Sequence, residues 1–178
     1  MYKPWLPEAA IEYIDRYLQE ASIELDDPLC VLEHGAGTST PWLAKRCDFL
    51  LSFETDPKWY SKVGSMLRKE RLLDHTMLIF ASQIPEIGIK IPHNAPRAYD
   101  LVFVDGRGRV KFWERAKKYL KPGGLVVFDD AERTKYRPAT EEIRQTFEMV
   151  QTFYKPEKPR AYTLIARKPH APSAVHSL

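Results

Sequence analysis

Five short apolar runs recur along this chain, and four of them end in a carboxylate. They are Leu29–Leu32 before Glu33, Phe49–Phe53 before Glu54, Thr76–Phe80, Tyr99–Val104 before Asp105, and Leu125–Phe128 before Asp129 and Asp130. The first of these short apolar runs predicts a buried strand, and the other four read as strands. Helical stretches lie between them. Ile11, Ile14 and Leu18 share one face of a helix over 7–21. A short helix follows Thr40-Pro41, and a longer one runs from Asp56-Pro57 to about Leu72. Each of these pairs reads as an N-cap followed by proline at the first helical position. Further helices are predicted over 110–119 and about 140–149, whereas 82–98, with its prolines, shows no ordinary crossover helix. Lys121-Pro122-Gly123-Gly124 reads as a stop and turn. Strands alternating with helices at this spacing build a mostly parallel α/β sheet.

The end of the chain breaks that rhythm. Val150–Tyr154 and Tyr162–Ala166 are strand-like, and the gap between them is too short for a parallel crossover, so they pair antiparallel. The expected fold is therefore α/β and doubly wound, a three-layer α/β/α stack. Its sheet is mostly parallel, of about seven strands, with an antiparallel pair at one edge. One domain is expected over 1–168, with 169–178 a polar tail.

Composition removes several function classes. The chain is 44% hydrophobic and 12% aromatic, which argues against intrinsic disorder. It has no apolar run of about 18 residues for a membrane span, and the N-terminus lacks a signal-peptide core. A cytoplasmic protein without a membrane partner is expected. A net charge of +3 does not call for nucleic acid as a partner. Cys30 and Cys47 alone make neither a disulfide framework nor a zinc site, so two reduced thiols are expected.

In an open α/β sheet, ligands bind beyond the carboxyl ends of the strands, where the strand order reverses. The residues expected there are Glu33-His34-Gly35-Ala36-Gly37-Thr38-Ser39-Thr40, Glu54, Asp105-Gly106-Arg107-Gly108-Arg109 and Asp129-Asp130-Ala131-Glu132-Arg133. Gly35 and Gly37 allow a sharp turn and close approach of a ligand to the backbone. Glu54, 17 residues beyond Gly37, is placed to accept hydrogen bonds from ribose hydroxyls. This combination suits an adenosine-bearing ligand. The third glycine of a dinucleotide fingerprint is Thr40 here, and no Walker loop occurs, so neither NAD nor a nucleoside triphosphate is the best fit.

In Val31–Ser39, Glu54, Tyr99–Gly106 and Leu120–Asp130, in that order and at that spacing, the sequence resembles the class I S-adenosylmethionine-dependent methyltransferases. The likeness runs from about Trp5 to Arg167. It implies that Glu33, Gly35, Gly37 and Ser39 hold the methionine end of S-adenosylmethionine, with Asp105 beside it, and that Glu54 holds the ribose. Ser82 or Gln83 stands where the family often contacts adenine. The reaction implied is in-line methyl transfer from a sulfonium to a nucleophile held at near-contact distance.

Asp105, Asp129 and Asp130 end adjacent central strands, and three carboxylates suit a hard cation such as Mg²⁺. In this respect the chain looks like the metal-dependent O-methyltransferases. That likeness gives Asp105 and Asp129 catalytic roles and makes a metal-bound hydroxyl the expected nucleophile. The opposing reading is that these acids cap loops or touch the cofactor without a metal. Arg107, Arg109, Arg133, Lys135 and Arg137 occupy the same loops. Either they neutralise the acids, or some of them, Arg107 and Arg133 first, bind an anionic small-molecule acceptor. An oxygen acceptor is favoured because no Asn-Pro-Pro-Tyr type of motif follows the fourth strand. His34 is expected to point away from the ligand, and His93 to be a loop residue. Trp5, Trp42 and Trp59 are expected to pack on helices, with Lys3–Pro7 as an alternative lid over the cofactor. No inserted domain caps the site, so a homodimer is one way of closing it. The rival functions are a non-catalytic S-adenosylmethionine-binding protein and an RNA methyltransferase that uses the arginines as a phosphate track.

Overall fold

The computed structural model describes residues 2–24, 27–82 and 90–170. The apolar runs form the strands β1 (Cys30–His34), β2 (Phe49–Glu54), β3 (Thr76–Phe80), β4 (Tyr99–Val104) and β5 (Leu120–Phe128). Two more, β6 (Glu148–Lys155) and β7 (Lys158–Arg167), follow after the last helix. The sheet order is β3-β2-β1-β4-β5-β7-β6. The first five strands are mutually parallel, and β7 runs antiparallel to both β5 and β6. Every residue of β1 and β4 is buried, as a strand covered on both faces requires.

The helices are α1 (Glu8–Glu24), α2 (Ser39–Ala44), α3 (Pro57–Glu70), α4 (Arg109–Ala116) and α5 (Arg137–Thr146). Alternate strand residues feed two separate cores. Val31, Leu101, Phe103 and Val127 pack with Ile14 and Leu18 of α1, Leu43 of α2 and Val63 of α3. Leu32, Val102, Val104 and Phe128 pack with Phe112 and Trp113 of α4 and Ile143 of α5. The result is the expected three-layer, doubly wound sheet. Because the chain steps outward through β1, β2 and β3 and then returns to β4 beside β1, the strand order reverses between β1 and β4. Their carboxyl ends carry Gly35 and Asp105, which places the site.

Local chemistry explains where the boundaries fall. Asp56 caps α3 by accepting from the backbone N–H groups of Lys58 and Trp59 at 2.8 and 3.1 Å, ahead of Pro57 in the first turn. Thr40 is not the cap of α2, which starts one residue earlier; its hydroxyl is committed to Gly37 and Glu33. The final helix starts at Arg137-Pro138 rather than near Thr140, since proline is tolerated in a first turn. Lys121–Gly124, expected as a turn, lies inside β5, where the register with β4 shifts between Tyr99 and Leu101. Cys30 is buried and Cys47 half-buried, both as free thiols. Among the described residues no helix is long and apolar enough to cross a membrane. Part of the 82–98 segment and residues 171–178 of the expected tail lie outside the described residues.

Candidate functional site

The loop after β1 is shaped by a carboxylate beneath it. Glu33 is fully buried, and its carboxylate accepts from three hydroxyls: Ser39 and Ser52 at 2.5 Å and Thr40 at 2.7 Å. Thr40 Oγ1 in turn accepts the backbone N–H of Gly37 at 2.9 Å, so Glu33 braces the glycine loop through Thr40. Burial pushes the Glu33 carboxyl up to about 7 against the pull of its three hydroxyl donors.

The two glycines of the loop are required for different reasons. Gly35 has φ +93°, and a Cβ there would lie 2.5 Å from the backbone nitrogen of Gly106. The loops after β1 and β4 cross at this point, and no side chain fits between them. Gly37 meets no such obstacle: a Cβ there would approach nothing closer than Ser39 Oγ at 4.0 Å. That space belongs to a cleft of about 620 Å³ whose walls include Gly35, Gly37, Glu54, Asp105, Arg107 and Trp5. Ser39 and Arg133 also line it.

Glu54, at the end of β2, holds one wall. Its Oε1 accepts from the backbone N–H groups of Thr55 and Asp56 at 2.6 and 2.7 Å. Among the described residues nothing donates to its Oε2. Trp5, 73% exposed, stands edge-on to Trp59 at 5.9 Å between centroids, and both rings line the cleft. Trp5, from the Lys3–Pro7 segment, therefore stands at the cleft wall rather than in the core. Trp42, by contrast, packs in the core as expected.

Beyond the β1–β4 crossing lie the three aspartates, each engaged by a cation. Arg109, 6% exposed, donates from Nη2 to Asp105 Oδ1 at 2.8 Å and to Asp130 Oδ2 at 3.2 Å. Its Nε donates to the Gly106 carbonyl at 3.1 Å and its Nη1 to the Asp129 carbonyl. Lys155 Nζ donates to Asp129 Oδ2 at 2.8 Å and to Asp130 Oδ1 at 3.0 Å. Thr163 donates to Asp129 Oδ1 at 2.7 Å, and Arg133 pairs with Asp130 Oδ2 at 2.7 Å. Among the described residues only Asp105 Oδ2, of all the oxygens in this cluster, receives no donor. Burial raises the Asp105 carboxyl to about 7, with the charges of Asp129 and Asp130 adding to the rise and Arg109 opposing it.

His34 lies behind the site. Its ring stacks on Phe112 at 4.2 Å and packs against Gly106, and no hydrogen bond reaches either nitrogen. Burial and then the Arg109 cation lower it to about 3, so it stays neutral, and it lies outside the cleft lining. His93 is an exposed turn residue outside the cleft.

A family model described as a methyltransferase domain matches residues 32–131, more than half of the chain. The chain belongs to that methyltransferase family. A search of curated proteins gives no match. Solved structures with the same fold include an rRNA methylase from Streptococcus thermophilus, at TM-score 0.67 and 17% identity over 96% of this chain and 99% of that one. The O-methyltransferase TomG from Streptomyces achromogenes, solved with SAM, matches at TM-score 0.64 and 18% identity over 89% and 80%. A precorrin-6y C5,15-methyltransferase from Geobacter metallireducens matches at TM-score 0.63 and 19% identity over 89% and 88%. These structures share the fold, and their names describe different acceptors.

S-adenosylmethionine is the cofactor of this methyltransferase family. The cleft residues fit it: Gly37 leaves open space that a Cβ would fill, and Glu54 presents a carboxylate oxygen to which no described residue donates. Two expectations need correction. Glu33 lies outside the cleft lining: it shares a sheet face with Val31, and its oxygens accept from hydroxyls under the loop. Ser82 is exposed and lies outside the cleft lining, while Gln83 lies outside the described residues.

The expected Mg²⁺ site is also corrected. Asp129 and Asp130 spend their oxygens on Lys155, Thr163, Arg109 and Arg133, so this donor set does not fit a divalent ion. Among the described residues no group of three or more His, Cys, Asp or Glu side chains is arranged to hold a metal ion. The sequence reading did not foresee Lys155 or Thr163. Both come from the antiparallel edge pair rather than from the end of a parallel strand, and no motif marks them. Tyr136, which lies 5.0 Å beneath the Arg109 guanidinium, was likewise unmarked.

Proposed function

We propose that this methyltransferase binds S-adenosylmethionine in the β1–β4 cleft and methylates a hydroxyl of a small anionic acceptor, with Asp105 taking the proton. Gly35, Gly37 and Ser39 would line the methionine end, and Glu54 Oε2 would accept from the ribose. Bound S-adenosylmethionine supplies an electrophilic methyl group on sulfonium sulfur, which becomes a neutral thioether when the methyl leaves. The acceptor oxygen forms the new bond to carbon and gives up its proton to Asp105 Oδ2.

The observation that carries this reading is that Asp105, at the cleft wall, has the one cluster oxygen, Oδ2, to which no described residue donates. A carboxyl near 7 is matched to abstracting a hydroxyl proton at neutral pH, where it is both available and basic enough to work. Arg109 holds Asp105 by its other oxygen and so fixes its direction. Arg107 is exposed on the same wall and has no ion-pair partner among the described residues. Lys135, also on the cleft wall, likewise has no carboxylate partner among them. Two uncompensated cations beside a neutralised acid cluster favour an acceptor bearing a carboxylate or phosphate.

The test is an acceptor screen, read by release of S-adenosylhomocysteine, over hydroxylated carboxylates, phosphate esters, amines and short RNAs. The reading expects turnover with a hydroxylated anion. It also expects a loss of roughly a hundredfold or more in Asp105→Asn, with cofactor binding retained. Turnover with amines or RNA alone, or full turnover in Asp105→Asn, would overturn it.

A further inference from the structure

Lys155 is the last residue of β6, beside the turn of the β6–β7 hairpin, and β7 sets that hairpin against β5. The hairpin delivers an ammonium between the two carboxylates that follow β5, at 2.8 Å from Asp129 and 3.0 Å from Asp130. Arg109 and Arg133 supply the remaining positive charge, so three carboxylates face three cations. We infer that Lys155 is a built-in counter-ion that keeps the Asp105–Asp129–Asp130 cluster closed to divalent cations, so that this methyltransferase works without a metal ion.

Three features support the assignment. The Lys155 side chain is largely buried and reaches both acids at once, leaving neither Asp129 Oδ2 nor Asp130 Oδ1 open to a ligand. A divalent ion there would have to displace the ammonium and would add charge to a cluster already in balance. Burial alone would push Lys155 down and Asp130 up. The contacts of Lys155 with Asp129 first and then Asp130, and those of Asp130 with Lys155, Arg109 and Arg133, reverse both directions. Lys155 acts through the aspartates and is therefore a positioning residue.

The inference concerns the same cleft as the proposed reaction but does not depend on its acceptor, because metal binding is read without turnover. The experiment titrates the full chain with Mn²⁺, following free ion by electron paramagnetic resonance, in wild type, Lys155→Gln and Lys155→Arg. Wild type and Lys155→Arg are expected to show no saturable site. Lys155→Gln, which frees two carboxylate oxygens, is expected to gain a saturable Mn²⁺ site at least about tenfold tighter than the weakest binding the titration detects. Thermal melting identifies folded variants. A folded Lys155→Gln that gains no Mn²⁺ affinity would overturn the inference. So would wild-type binding of Mn²⁺ that disappears in Asp129→Asn, a result that decides the question even where Lys155→Gln does not fold.

Discussion

The carbon that Gly35 lacks would lie 2.5 Å from the backbone nitrogen of Gly106. This contact joins the loop after β1 to the loop after β4, so the glycine-loop wall and the acid-bearing wall of the cleft are set by one close crossing. Gly35→Ala forces those loops apart and places alanine at φ +93°. A cost of roughly 2–4 kcal/mol is expected, together with loss of S-adenosylhomocysteine binding. Gly37→Ala separates stability from binding. Its methyl enters open cleft space, so the melting temperature stays near wild type while affinity for S-adenosylhomocysteine falls by roughly tenfold to a hundredfold. Equal affinity in Gly37→Ala would show that the ligand does not pass that residue.

Glu33 predicts a pH dependence of stability. Its folded value of about 7 stands above the ordinary 4.5, so between these values the folded chain holds a proton that the unfolded chain has released. Rising pH across that window therefore favours unfolding. The contribution of this group is most favourable below 4.5 and is lost by about 7. Asp105 acts in the same direction, from 3.8 to about 7. Buried, neutral His34, lowered from 6.5 to about 3, contributes the opposite slope below 6.5 in both proteins. Glu33→Gln is therefore read as a difference: between about 4.5 and 7 wild type loses stability with rising pH relative to the variant. Glu33→Ala strands the hydroxyls of Ser39, Thr40 and Ser52 and is expected to cost about 2–4 kcal/mol. Parallel melting curves for wild type and Glu33→Gln across this range would contradict the account.

Asp105 and Arg107 predict separate kinetic signatures. With Asp105 as proton acceptor, kcat rises with pH through about 7 and levels off once the carboxylate is ionised. Asp105→Asn removes that rise and lowers turnover. Arg107→Glu leaves cofactor affinity unchanged and raises the acceptor KM by about tenfold or more, because it puts a carboxylate where an anion is to bind. Steady-state kinetics across pH on the acceptor found by screening checks both. A pH-independent wild-type rate would remove Asp105 from the proposed role.

Much of this architecture could be read from the sequence because one physical pattern repeats. Apolar runs end in polar residues at or beside the carboxyl ends of the parallel strands, where the loops of the cleft begin. Leu32–Glu33, Phe53–Glu54 and Val104–Asp105 all carried that signal. The direction of Glu33 was also readable from the period of two along a strand, since it shares a face with buried Val31. Its commitment to Thr40 was not, because a hydroxyl at that spacing also reads as a helix cap. The acid cluster misled for a different reason. Asp129 and Asp130 present the composition of a metal site, yet their partners Lys155 and Thr163 arrive from 25 to 34 residues away on an antiparallel hairpin. Strand spacing places such a hairpin at an edge but does not say which of its side chains reaches back over β5.

The central claim is that the cleft between the β1 and β4 loops is the cofactor site, with Glu54 as its ribose ligand. Calorimetric titration of wild type and Glu54→Gln with S-adenosylhomocysteine in the presence of a chelator tests it most directly. The account predicts one site per chain with micromolar affinity in wild type, and binding weaker by roughly thirtyfold or more in a Glu54→Gln variant that still melts cooperatively. Absence of binding in wild type, or equal affinity in the two proteins, would contradict it.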